Sequence, residues 1–205
     1  MIFSVVMVVS IVFVRAFHFY LSGFATGDEY MYLLSAILSG VKGKIEILYP
    51  RRQAYLLIFS SFSRVFRIID PFSIFLFGLF LSFIATVLTM YYFRKIGRLI
   101  SENKMAIDFL TITPLFLVSF DIMFAGLFTE PFSLFLVLIG IYYILVVIKT
   151  NRLKHGFLAG LGLGLSFAFR ETFLLVSFGN LVILTYKAIR KQLRSLVLIV
   201  ALLVP

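Results

Sequence analysis

Residues 71 to 98 read P-F-S-I-F-L-F-G-L-F-L-S-F-I-A-T-V-L-T-M-Y-Y-F-R-K-I-G-R. From Phe72 to Phe93 there is no charge, Pro71 stands at a favoured helix-entry position, and Arg94, Lys95 and Arg98 close the run. About 20 apolar helical residues cross the hydrocarbon core of a bilayer. The stretch therefore reads as a transmembrane span with its basic end in the cytoplasm. Composition extends that reading to the whole chain, which is 62% hydrophobic and 14% charged over 205 residues. Soluble domains carry about 25% charged residues, so a water-facing globule is excluded, as are disorder, collagen and coiled coil. With no cysteine there is no disulfide framework, thiolate metal site or cysteine nucleophile.

On the N-terminal side, Met1 to Phe19 is a second apolar run, broken only by Ser4, Ser10, Arg15 and His18. No Lys or Arg precedes it and no small-x-small site follows, so a membrane helix is favoured over a cleaved signal peptide. Arg15 and His18 are read as snorkelling to the interface. On the C-terminal side, more than forty mostly apolar residues lie between Lys104 and Lys149, with Asp121 and Glu130 bracketing their middle, which reads as a helical hairpin. Lys154 to Lys187 repeats the pattern around Arg170 and Glu171, with only 14 or 15 charge-free residues on each side. A single helix there would bury both charges, at about 2.5–3.5 kcal/mol each, so a second hairpin is expected. A seventh span starts after Arg194 and stops at Pro205, as in a truncated chain. The expected fold is all-α and polytopic. Residues 1–205 form one module of about six full transmembrane helices plus the start of a seventh, with 21–70 as an outer loop.

A formal charge of +10 would suggest nucleic acid in a soluble protein. Here eleven of the 19 basic residues fall in the expected cytoplasmic loops, while seven of the nine acids, Asp28, Glu29, Glu46, Asp70, Asp121, Glu130 and Glu171, fall outside. Positive charge thus marks orientation, the N-terminus is placed in the cytoplasm, and nucleic acid is not an expected partner.

The outer segment carries two helical patterns. After Thr26-Gly27-Asp28, the residues Tyr30, Leu33, Leu34, Ile37 and Leu38 form one apolar stripe that Gly40 and Gly43 end. After Tyr49-Pro50, the residues Tyr55, Ile58, Phe59, Phe62 and Phe66 form another, with Gln53, Ser60, Arg64 and Arg67 opposite. Neither can span, so both are expected to lie in the interface.

Asp28 and Glu29 suit helix capping. They equally suit chemistry, one carboxylate taking a proton from a hydroxyl while the other orients it or holds a divalent cation. Arg51 and Arg52 read as headgroup anchors or as ligands of a lipid phosphate. Arg170 and Glu171 form a structural ion pair or a functional one, in which Arg170 neutralises a phosphate leaving group. Glu130, before Pro131, and Asp121 are read as caps or as substrate-binding groups on the same side. The run G-F-L-A-G-L-G-L-G at 156–164 has glycines at 156, 160 and 164, a spacing for close helix packing and not for a phosphate cradle. Walker, G-x-S-x-G, H-E-x-x-H and G-x-G-D signatures are absent from the sequence.

Taken in order, these residues resemble the N-terminal transmembrane module of GT-C superfamily glycosyltransferases, above all protein O-mannosyltransferases and their prokaryotic relatives. The resemblance rests on Arg15, on G-D-E-Y-M-Y at 27–32 and on Tyr49-Pro50. It continues with F-T-E-P-F at 128–132 and the Gly-rich run that ends in Arg170-Glu171. Its Thr-Glu-Pro is also similar to that of glycosylphosphatidylinositol mannosyltransferases. The resemblance implies transfer of a sugar, with mannose as a candidate, from a dolichyl- or undecaprenyl-phosphate donor to a protein, glycan or lipid acceptor on the outer or lumenal face. It makes Asp28 the base or acceptor-binding carboxylate, Glu29 its neighbour, and Arg170 or Arg52 the ligand of the donor phosphate. A prokaryotic plasma membrane is favoured over the endoplasmic reticulum.

Two other functions fit an intramembrane charge set. A transporter or lipid flippase would show inverted repeats, and the sequence shows none. A non-catalytic assembly subunit would use the outer acids as caps. Catalysis predicts that Asp28, Glu130 and Arg170 converge on one outer-facing pocket.

Overall fold

The computed structural model describes residues 27–48, 53–112, 130–169 and 179, with the side chains of 27–29, 53, 55, 130, 131 and 153 outside that description. Among the described residues all regular structure is helical. The helices are α1 (Gly27–Lys42), α2 (Gln53–Phe66), α3 (Pro71–Ile100), α4 (104–112), α5 (Glu130–Thr150) and α6 (Leu153–Phe169). The chain divides into two units, one of Met1–Val87 with Pro114–Pro131, the other of Leu88–Thr113 with Phe132–Pro205.

The expectation of about six full spans and part of a seventh is corrected by helix length. Among the described residues only two helices are long and apolar enough to cross a membrane, Pro71–Ile100 and Phe132–Thr150. At 1.5 Å per residue α3 is about 45 Å long, well beyond the ~30 Å hydrocarbon core. α6 is described over 17 residues, about 26 Å, up to Phe169. Counting apolar runs treats every run as lipid-facing, whereas α6 uses its small residues to seat against α5. The expected first span, the part of the third beyond 112, the second arm of the Lys154–Lys187 hairpin and the start of a seventh span after Arg194 lie outside the described residues, apart from residue 179.

In the first unit α1 and α2 pack on each other through serine. The connecting segment turns at Gly43, whose φ of 63° lies in the left-handed region that glycine enters at no steric cost, and then doubles back. The Glu46 amide donates to the Ser39 hydroxyl (2.8 Å) and the Leu48 amide to the Ser35 hydroxyl (3.2 Å), so the segment retraces α1 toward its start. The Ser60 hydroxyl of α2 donates to the Glu46 carbonyl (3.2 Å). Near the other end, a β-carbon on Gly40 would fall 2.6 Å from the Ser63 hydroxyl oxygen, and Ser63 in turn donates to the Ile68 carbonyl. The C-terminal turns of α1 and α2 are thus neighbours. The helices run the same way, with residues 45–48 threaded back between them.

This seam differs from the stripes read in the sequence. The buried face of α1 is Tyr32, Leu33, Ser35, Ala36 and Ser39, while Tyr30 is exposed; that of α2 is Leu56, Phe59, Ser60 and Ser63, while Phe66 is exposed. Small hydroxyl-bearing residues let backbones approach and satisfy the return segment's amides, which larger apolar residues cannot do. Ser39→Ala leaves the Glu46 amide without its acceptor, for an expected loss of about 1–3 kcal/mol in chemical denaturation. A loss below about 0.5 kcal/mol contradicts the seam.

α2 ends on Arg67, at a φ of 52°, with the Ile68 amide donating to the Ser63 carbonyl (3.1 Å) in a Schellman arrangement. α3 then starts from Asp70, whose carboxylate accepts the Ser73 amide at 2.7 Å, with Pro71 as the first helical residue. Its opening turns meet α2 through a stacked Phe62–Phe77 pair at 3.6 Å and an edge-on Phe59–Phe77 pair at 5.7 Å. Hydrogen bonds from the Ser73 hydroxyl and amide hold the Asp70 carboxyl below its usual range. Asp70→Ala is expected to cost about 1 kcal/mol at neutral pH. Because the folded pKa is depressed, that contribution is complete above the usual carboxylate range and fades as pH falls through the lowered value. A wild-type/variant gap that does not shrink on acidification counts against the cap.

In the second unit α5 and α6 meet at glycine. A β-carbon on Gly162 would lie 2.8 Å from the Gly140 nitrogen and 2.9 Å from the Leu136 carbonyl oxygen. Around this contact Ile144, Val147 and Ala159 are buried, packed by Tyr143, Ile148 and Leu163. The C-terminal end of α3 joins them through edge-on contacts of Tyr92 with Phe135 (5.9 Å) and Tyr142 (5.6 Å). α5 ends on Asn151, at a φ of 51°, whose amide donates to the Val147 carbonyl (2.7 Å).

Candidate functional site

α1 starts at Gly27, which puts Asp28 and Glu29 in its first turn. There, four amides have no partner within the helix and the dipole favours negative charge. The two acids therefore occupy a helix entry whose far end is fixed by the Ser35–Ser39 seam, one to three turns away. Their side chains lie outside the described residues, as do Arg51, Arg52, Asp121, Arg170 and Glu171. Glu130 is the first residue of α5, with Pro131 after it. α6 is described up to Phe169, the residue before Arg170, and the Phe169 ring stacks on Phe132 at 5.6 Å. Arg15 and His18, and the expected convergence of Asp28, Glu130 and Arg170, also fall outside the described residues.

Two other acids expected on the outer side are accounted for by local structure. Asp70 caps α3. Glu46 forms ion pairs with Lys42 (3.2 Å) and Lys44 (3.4 Å), and the Lys42 hydrogen bond is the main cause that keeps its carboxyl below the usual range. Among the described residues no group of three or more His, Asp or Glu side chains comes together to hold a metal ion. A divalent cation at Asp28 and Glu29 therefore remains a sequence expectation.

Hydroxyl groups were the signal that apolar periodicity concealed. Besides the α1–α2 seam, α3 buries Ser82, Thr86 and Thr89, and α5 buries Ser133. Thr86 donates to the Ser82 carbonyl at 2.8 Å, whereas the Ser82, Thr89 and Ser133 hydroxyls have no partner among the described residues. Spacings of three and four between serines, as in Ser35/Ser39 and Ser60/Ser63, were available in the sequence to find the seam.

At the other end of α3, the Lys95 ammonium lies over Tyr91 (4.6 Å), Tyr142 (5.2 Å) and Tyr92 (5.7 Å). The Lys149 ammonium donates to the Leu99 carbonyl (3.1 Å), which ties the C-terminal ends of α3 and α5 together. The basic residues that end the two candidate spans thus share one side of the second unit. Comparison with protein-family models, with curated proteins and with solved structures finds no match to the chain.

Proposed function

We propose that the chain belongs to a membrane glycosyltransferase that moves a sugar from a polyprenyl-phosphate donor to an acceptor on the outer or lumenal face. The observation that carries the reading is the entry of α1. The acidic pair in G-D-E-Y-M-Y falls on the first turn described of a helix whose later turns are packed through buried serines. Membrane placement is supported by α3 and α5, which leave most of their apolar windows uncovered by the protein, only 44% and 33% being buried.

In this reading Asp28 takes the proton from the acceptor hydroxyl as it attacks the sugar, with Glu29 orienting it or binding a cation. Arg52 and Arg170 are the candidates for neutralising the departing lipid phosphate. Arg51, Asp121, Glu130 and Glu171 are the candidates for holding the substrates. An interfacial site lets the donor's tail stay in hydrocarbon while its headgroup reaches the carboxylates. The same reading has the N-terminus in the cytoplasm and the chain in a prokaryotic plasma membrane. The test is transfer of labelled sugar by membranes containing the chain, supplied with mannosyl phosphoryl undecaprenol or with a nucleotide sugar. Label incorporation from the lipid donor alone is expected, and no incorporation above control membranes from either donor contradicts the proposal.

A second reading, a non-catalytic assembly subunit, is favoured by the structural employment of Asp70 and Glu46. It predicts that Asp28 is a cap and nothing more.

A further inference from the structure

Three helix ends gather their cations at one side of the second unit. Arg94, Lys95 and Arg98 close α3, Lys149 closes α5, and Arg152 and Lys154 flank the start of α6. The Lys149–Leu99 bond joins the first two ends. The third is joined by the Thr150 hydroxyl at 2.9 Å from His155 Nδ1 and by the His155 ring stacked on Tyr143 at 6.0 Å. Two of the cations are committed, Lys95 to its tyrosines and Lys149 to a carbonyl. The others are not. Arg98, Arg152 and Lys154 are exposed, and Arg94, half-buried, has an Nε–H out of solvent with no acceptor among the described residues. Glu102 and Asp108 are the carboxylates nearest in sequence, both exposed, and neither pairs with any of these cations.

A buried guanidinium N–H without an acceptor wants an oxygen. Uncommitted arginines beside tyrosines are the groups that take a phosphate at headgroup depth. Charge that only set orientation would not need fixed positions, yet here Lys95 and Lys149 lock the helix ends that carry the free arginines. We propose that this basic, tyrosine-lined end binds the phosphate of an anionic phospholipid of the cytoplasmic leaflet. The proposal rests on the membrane reading and not on sugar transfer, so either can fail alone.

The test is retention of phosphatidylglycerol against phosphatidylcholine by the purified full chain in native mass spectrometry, with melting temperature read in parallel. Phosphatidylglycerol should be retained selectively and should raise the melting temperature, and millimolar inorganic phosphate should not displace it. Arg94→Gln with Arg98→Gln should weaken retention about 25-fold, at about fivefold per cation. Arg152→Gln with Lys154→Gln, at exposed positions that leave packing intact, should weaken it similarly, whereas Arg64→Gln with Arg67→Gln in the first unit should not. Equal retention of the two lipids, displacement by inorganic phosphate, or an equal loss in the Arg64/Arg67 variant would overturn the proposal.

Discussion

Asp28→Asn is expected to lower sugar transfer from the lipid-linked donor by about 10²–10⁴-fold, the contribution of a positioned general base. Membrane insertion should be unaffected. The substitution separates the two uses of this residue because asparagine is nearly as good as aspartate at a helix start. Loss of a charge from the first turn removes only about 0.3–1 kcal/mol of dipole interaction. A capping residue would therefore show a small stability change and no change in transfer, and a base would show the reverse. Glu29→Gln should give a smaller loss, since an orienting neighbour is not the proton acceptor. Transfer at the wild-type rate in Asp28→Asn removes Asp28 from the base role.

Gly162→Ala is the second substitution with a large expected effect. Its new methyl would sit below 3.0 Å from two backbone atoms, the Gly140 nitrogen and the Leu136 carbonyl oxygen, which no rotamer change can move. α5 and α6 must separate, and the buried Ile144, Val147 and Ala159 lose contact. We expect a loss of about 1–3 kcal/mol, the usual range for overpacking, and more for Gly162→Leu. Gly140→Ala should be milder, because its methyl meets chiefly the Leu163 side chain, at 2.6 Å, which can turn away. Denaturation of the purified chain measures all three, and Gly162→Ala melting like wild type would contradict the close helix approach.

The same contact shows how much was legible. Close packing in the glycine run was expected at 156, 160 and 164; the described clash-forbidding position is a further one, Gly162, whose partner Gly140 lies in another helix that no spacing rule within the run could find. For α3 the sequence located Pro71 and the basic stop. The helix runs on to Ile100 because Lys95 rests on tyrosine rings and Lys149 caps the Leu99 carbonyl, so charge ends the apolar stretch without ending the helix. The entry of α1 at Gly27 and the extent of α2 followed from turn residues and periodicity. Their buried faces did not, since hydropathy ranks serine as outward-facing while Ser35, Ser39, Ser60 and Ser63 are each fully buried. The span count failed for a related reason. Hydropathy registers apolar residues without registering whether lipid or a neighbouring helix will cover them. Of the candidate site, the sequence supplied the residues, and the fold adds the helix entry that holds Asp28 and Glu29.

The proposed function requires the acidic segment 21–70 and the basic helix ends to face opposite sides of one membrane. The chain has no cysteine, so single cysteines label without background. Val41→Cys, at the end of α1 and 65% exposed, should react with a membrane-impermeant maleimide added to intact cells. Glu102→Cys, in the exposed link after α3, should react only once the cells are opened. Val41→Cys protected until permeabilisation, or both sites labelled from the same side, would contradict the account.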